Sequence, residues 1–321
     1  MSEISLLDKY KNWVQANEGK INTYANDLIV VFAFSVPLLI SVRRLSISLI
    51  LLLFLIRGRL LHHTMQVMRD PLLASLILYF LVYLIWAFGS DDLVQAKKSI
   101  HDAAFLLIAP VFATFIDRRY ISRIAYAFIF GMFLSSLISF GIYFEILPAM
   151  AHNSSHGGAS DPTPVYHHTP YGYMLAITSV ILMSALIHLQ DNRYKPILYL
   201  FITSITLNIF IIEGRSGFVI FSILVLMMMF LIYKRKAIKS LIITLTVLGL
   251  STVFAYNNID VFKNRVELTV ASYKSLTTDK NYNTSIGGRV GMTLYSLDAI
   301  SDNVVLGYGT GDHVNEVRKI V

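Results

Sequence analysis

The residues of this chain best suited to chemistry are arginines and histidines set in polar breaks between apolar runs. Glu213-Gly214-Arg215-Ser216-Gly217 separates the apolar run Ile197 to Ile212 from Phe218 to Tyr233. A guanidinium at such a hinge presents a planar fork of donors that matches phosphate oxygens. The ordinary alternative is an interfacial arginine whose charged head reaches for lipid headgroups. Further along, Ser285-Ile286-Gly287-Gly288-Arg289 opens a helical pattern continued by Val290, Leu294, Leu297 and Ile300. That reading places Arg289 in a first turn, where free backbone N–H groups favour an anion. Here the plain alternative is a solvated surface charge.

The histidines divide by context. His167-His168 precede Thr169-Pro170-Tyr171, a helix-start signature with threonine as N-cap and proline at the first helical position. They are expected to line a vestibule. His152 and His156 have a metal-like spacing of four, but Asn153, Ser154, Ser155, Gly157 and Gly158 around them argue against a helix, so no metal is expected. His313 follows Leu306-Gly307-Tyr308-Gly309-Thr310-Gly311, a glycine alternation that lets backbone approach a ligand or another helix closely. No strand precedes it, so it is not a dinucleotide fingerprint. The chain has no cysteine, which excludes thiol chemistry and disulfides.

These residues must be positioned by membrane-embedded elements. The 321-residue chain is 55% hydrophobic and only 15% charged, with a mean hydropathy of +0.61. Soluble domains carry about 25% charged residues. The expected fold is an all-α, polytopic integral membrane bundle of about nine transmembrane helices, each near the length that crosses a bilayer. In order the runs are Leu28–Val42, Leu45–Ile56, Leu72–Phe88, Ala103–Ile116, Ile124–Leu147, Tyr171–Leu189, the pair flanking Arg215, and Leu241–Tyr256. Arg43-Arg44 splits the first two and favours a hairpin, because charge at mid-bilayer is costly.

The formal net charge of +7 need not mean nucleic acid. Arg57, Arg59, Arg69, Arg118, Arg119, Arg123, Arg193, Lys195, Lys234, Arg235, Lys236 and Lys239 all fall in alternate connectors, where Asp70, Asp117 and Asp191 are the acids. The opposite connectors balance Arg43, Arg44, Lys97, Lys98 and Arg215 against more acids. This positive-inside asymmetry puts the N-terminus in the cytoplasm and Arg215, the histidine-rich loop and the tail outside. Residues 1–256 are therefore expected to form the membrane bundle and residues 257–321 an outer helical region. Val261 to Leu276 has helical apolar spacing in that region.

The order of Gly-Arg-Ser-Gly at a hairpin, an outer Gly287-Gly288-Arg289 and Asp302-Asn303-Val304-Val305-Leu306-Gly307-Tyr308-Gly309 resembles the O-antigen ligase and polymerase superfamily of bacterial inner membranes. The likeness extends over nearly the whole chain and suits the ligase best. It implies a glycosyltransferase that moves O-antigen from undecaprenyl diphosphate to lipid A-core oligosaccharide at the periplasmic face, with membrane lipid around it and no nucleic acid. It further implies no metal and no nucleotide cofactor, and periplasmic arginines that hold the diphosphate. Carried onto this chain, those are Arg215 and Arg289. Family members continue with a His-Asn motif and further spans, so the catalytic histidine is expected beyond Val321 and the chain is expected to be incomplete. His313 has no Asn after it and is left, with His167 and His168, as a candidate vestibule or acceptor contact. O-antigen polymerase and protein O-oligosaccharyltransferase remain alternatives within the superfamily. A secondary transporter or a scaffold is the different class; Glu145 and Glu213 are the only acids placed to serve a transporter.

Overall fold

The computed structural model describes residues 6–58, 60–148, 158–188, 191–233, 237–305 and 307–320. Among them the fold is all-helical; the sole β feature is an isolated bridge between Gly158 and Asp161. The helices are α1 (Leu6–Ser35), α2 (Ile40–Arg57), α3 (Leu60–Val67), α4 (Pro71–Ala87), α5 (Leu93–Ala104), α6 (Ile108–Ala113), α7 (Arg118–Tyr143), α8 (His168–His188), α9 (Lys195–Ile211), α10 (Arg215–Ile232), α11 (Ala237–Asn258), α12 (Asp260–Asp279), α13 (Ser285–Asp302) and α14 (His313–Ile320). They divide into two compact units. The first is Met1–Ile29, Arg44–Ile121 and Ala271–Val321; the second is Val30–Arg43 and Ser122–Val270.

The second unit holds the hydrophobic core. Ile129 and Met132 from α7, Leu175 and Leu182 from α8, Ile205 and Ile209 from α9, and Phe221 and Val225 from α10 are buried together. Lipid supplies little hydrophobic drive between helices, so small and polar contacts must hold the bundle. Ser136 and Ser204 share a hydrogen bond at 2.8 Å, and Asn208 Nδ2 donates to the Ser136 carbonyl at 3.2 Å, joining α7 to α9. Phe133 and Phe201 stack at 4.0 Å alongside them.

In the first unit, Asn26 of α1 donates to the Phe115 carbonyl and accepts from the Asp117 N–H, both within 3.0 Å. The glycine alternation docks on the α4–α5 turn. Thr310 N–H donates to the Trp86 carbonyl, Gly311 N–H to Ser90 Oγ, and the Asp312 carboxylate accepts from the N–H groups of Asp91 and Asp92 at 2.8 Å each. A Cβ on Gly311 would stand 2.1 Å from the Asp92 carbonyl oxygen, so this glycine is required by close backbone approach.

Among the described residues, four helices are long and apolar enough to cross a membrane: Arg118–Tyr143, His168–Ile187, Asn192–Ile211 and Ile238–Asn258, or five if α2 and α3 together make one span. Several expected elements differ in detail. The first break falls at residues 36–39 and not at Arg43-Arg44, which lie inside the start of α2. Pro37 explains the shift, since proline disfavours helix in the residue before it and lacks an N–H. The run Ala103–Ile116 is not one helix: it is divided among the end of α5, a short 3-10 turn and α6. α4 has 17 residues, about 26 Å of rise against a hydrocarbon core of about 30 Å. The Val261–Leu276 pattern is borne out as α12.

Candidate functional site

The hinge between α9 and α10 is built by its glycines. Gly214 is the N-cap of α10, and a Cβ there would stand 2.8 Å from the His168 carbonyl oxygen. A Cβ on Gly217 would stand 2.7 Å from Gly172 Cα. Both glycines of Gly-Arg-Ser-Gly therefore let α10 close on the N-terminal end of α8. α8 begins at His168, one residue before the expected Thr169 cap. Arg215 is the first residue of α10, whose N-terminus has no side-chain cap. Such a terminus favours negative charge. The Arg215 side chain lies outside the described residues, as do His152 and His156.

Behind this hinge lies a charge cluster. Glu213 forms an ion pair with Arg265 of α12, and its other carboxylate oxygen stands 3.9 Å from His168 Nδ1. Asp161, with its side chain 1% exposed, places Oδ2 3.0 Å from the same nitrogen. Its Oδ1 accepts from the Glu213 N–H at 3.5 Å. Burial lowers the pKa of Arg265, and the negative charge of Asp161 opposes that shift. Asp161, His168 and Glu213 offer three metal-ligand atoms within 4.8 Å of one another. The cation these carboxylates face is the guanidinium of Arg265. His167 packs its ring 3.7 Å from that of His168. Tyr166 anchors the same loop, taking a hydrogen bond from Arg43 and a guanidinium 5.1 Å above its ring.

An apolar groove of about 260 Å³ opens beside the cluster, lined by Ile209, Ile212, Phe218, Phe262, Val266 and Val270, with Glu213 and Arg265 at its edge. Sequence reasoning passed over Asp161 and Arg265. Asp161 carried one signal, as the only acid between Pro148 and Pro170 in a stretch without Lys or Arg. Arg265 carried none, because its partner lies 52 residues upstream.

Arg289 and His313 belong to the first unit, Arg215 and His168 to the second. The structure moves Arg289 one position past the first turn of α13, as the fifth helical residue. The leading amides are already engaged: Thr284 Oγ1 accepts from the Gly287 N–H and the Thr284 carbonyl from the Gly288 N–H. Arg289 is exposed. His313 is also exposed; its Nδ1 lies 3.0 Å from the Thr310 carbonyl, and it lines a groove of about 710 Å³ with residues of α13 and α14.

Residues 198–319 match the family model described as O-antigen ligase (Wzy_C). No curated protein and no solved structure matches the chain. The matched region contains the hinge, Glu213, Arg265, Arg289, the glycine alternation and His313, and it begins after Asp161 and His168.

Proposed function

Starting from the match of residues 198–319 to the O-antigen ligase family model, we propose that this chain is a metal-independent glycosyltransferase of lipopolysaccharide biosynthesis. It takes O-antigen from undecaprenyl diphosphate and transfers it to lipid A-core oligosaccharide at the periplasmic face of the bacterial inner membrane. About nine spans carry the hinge to that face, and residues 257–321 continue there. As the glycosidic bond breaks, charge builds on the leaving diphosphate, and fixed cations aimed at it lower the barrier. Arg215 and Arg289 are those cations.

The observation that carries this reading is the construction of the Gly-Arg-Ser-Gly hinge. Packing against α8 accounts for both glycines, and the arginine between them opens an uncapped helix. Its type is then explained by a diphosphate. Arg215→Ala and Arg289→Ala are each expected to abolish transfer while leaving membrane insertion intact, and lysine is expected to fail at both positions because the bidentate fork is lost. Full activity in either alanine variant would remove that residue from the site. The acceptor is read on a lipopolysaccharide gel from a strain deleted for the gene. Unattached polyprenyl-linked O-antigen marks a ligase, and lipopolysaccharide capped with a single repeat marks a polymerase.

A further inference from the structure

We propose that the groove formed by residues 280–283, α13 and the start of α14 holds the sugar rings of the donor that stand next to its diphosphate. The proposal rests on the glycosyltransferase reading above, with Arg289 as a diphosphate ligand. Placement is the first observation that carries it. Gly288, Gly291, Met292, Tyr295 and Ser296 line the groove at the spacing of one helix face. Arg289 shares that face, one turn before Met292 and two before Ser296. Tyr295 follows about 9 Å further along the axis of α13. A sugar bonded to a diphosphate at Arg289 is thus delivered into the groove.

The lining also has the chemistry of a sugar site. A Cβ on Gly291 would stand 3.1 Å from Tyr282 Cδ1, so this glycine lets Tyr282 fold against α13. There its ring meets that of Tyr295 edge to face, with centroids 6.1 Å apart. Tyrosine rings offer an electron-rich face to the C–H side of a pyranose, which is its apolar side. Among the described residues no hydrogen bond takes up the hydroxyls of Tyr282, Tyr295 and Ser296 or the side-chain amide of Asn283, which leaves them for sugar hydroxyls. The groove's 710 Å³ lies within the range of about 300–1,000 Å³ usual for small-ligand clefts. Charge separates it from the neighbouring cleft of about 860 Å³, which is lined by Asp91, Asp92, Asp312 and Glu316 and, among the described residues, by no Lys or Arg. That cleft repels a chain carried on a diphosphate. The groove on α13 has Lys280 and no acid in its lining.

The test uses the full chain in detergent and two probes: undecaprenyl diphosphate bearing a short fluorescent oligosaccharide, and undecaprenyl diphosphate alone. Anisotropy reads affinity for the first, and competition against it reads affinity for the second. Tyr295→Ala, matched first to the wild type for thermal unfolding, is expected to weaken binding of the sugar-bearing lipid about 3–10-fold and to leave the bare diphosphate lipid unchanged. Tyr295→Phe keeps the ring face and should retain most of the affinity, whereas Arg289→Ala should weaken both lipids. A second measurement does not depend on the alanine variant folding. Maleimide labelling of Asn283→Cys should slow when the sugar-bearing lipid is saturating and stay unchanged with undecaprenyl diphosphate alone. Wild-type affinity in Tyr295→Ala, an equal loss for both lipids, or labelling indifferent to the sugar overturns the proposal and leaves the glycosyltransferase reading standing. So does a transfer assay in which only the KM for lipid A-core rises, which would assign the groove to the acceptor. A wild type that binds neither lipid overturns the diphosphate reading itself, and the proposal falls with it.

Discussion

At Gly217 the constraint on the hinge is steric and severe. Its nearest neighbours across the helix crossing are the Cα, carbonyl carbon and carbonyl oxygen of Gly172, and none of these can swing aside as a side-chain tip could. A methyl group 2.7 Å from Gly172 Cα forces α8 and α10 apart. Overpacking of this kind costs about 1–3 kcal/mol. Gly217→Ala should accordingly lower the unfolding midpoint in detergent. Gly249→Ala, on α11 with nothing within 4 Å, is the matched control and should leave it unchanged or raise it. Equal midpoints for the two variants would show that the crossing is looser than described. The same residues show what a sequence can reveal. Gly-Arg-Ser-Gly between two apolar runs announces a hinge, whereas the Glu213–Arg265 pair joins that hinge to a helix far along the chain and leaves no local pattern, and the Asp161–His168 pair depends on how the loop folds back on the start of α8.

Among the elements, the hairpin around Arg215 was legible because both arms are uninterrupted apolar runs; the observed α9 and α10 end within a few residues of the sequence boundaries. Elsewhere proline outweighed charge. Pro37 sets the first break, and Pro110 lies in the short α6 of a run that reads as continuous by hydropathy alone. The glycine alternation was legible as a close backbone approach, but its partner, the α4–α5 turn more than 200 residues earlier, was not. That turn has a pH-sensitive member. Asp92 caps α5 through the Gln95 N–H and also accepts from Asn315 of α14. The Gln95 N–H, helped by Asn315, holds its carboxyl below the ordinary carboxylate value. A depressed carboxyl stabilises the fold above its unfolded value, and that contribution is lost as pH falls through the folded value. Amides at the start of α5 and in α14 should therefore lose protection, read as the exchange rate relative to that of unstructured peptide at the same pH, as the medium is acidified below about pH 4. In Asp92→Ala the same amides should lack that protection at neutral pH with no further acid-induced loss. An acid response that survives the substitution would assign the effect to another group.

For the whole molecule, the decisive question is which side of the membrane each polar break faces. The absence of native cysteine makes the chain ready for single-cysteine labelling. Ser160 lies in the loop before α8 and Asn192 in the turn after it, and the helix between them is long and apolar enough to span. Distribution of Lys and Arg among the connectors predicts that Ser160→Cys reacts with a membrane-impermeant maleimide on intact spheroplasts and that Asn192→Cys reacts only after lysis. Arg215 is one candidate span beyond Asn192 and should share the face of Ser160. Asn283, between α12 and α13, reports on Arg289 in the same way. Two guanidinium groups can grip one diphosphate only from one side of the bilayer, so Asn283→Cys must label together with Ser160→Cys. Labelling of Asn283→Cys only after lysis would separate the two arginines by the membrane and end the shared-diphosphate proposal, whatever the activity of the individual variants. If the two do share a face, Arg215→Lys and Arg289→Lys should combine non-additively in their loss of donor affinity, because residues acting on one ligand are energetically coupled by about 0.5–3 kcal/mol.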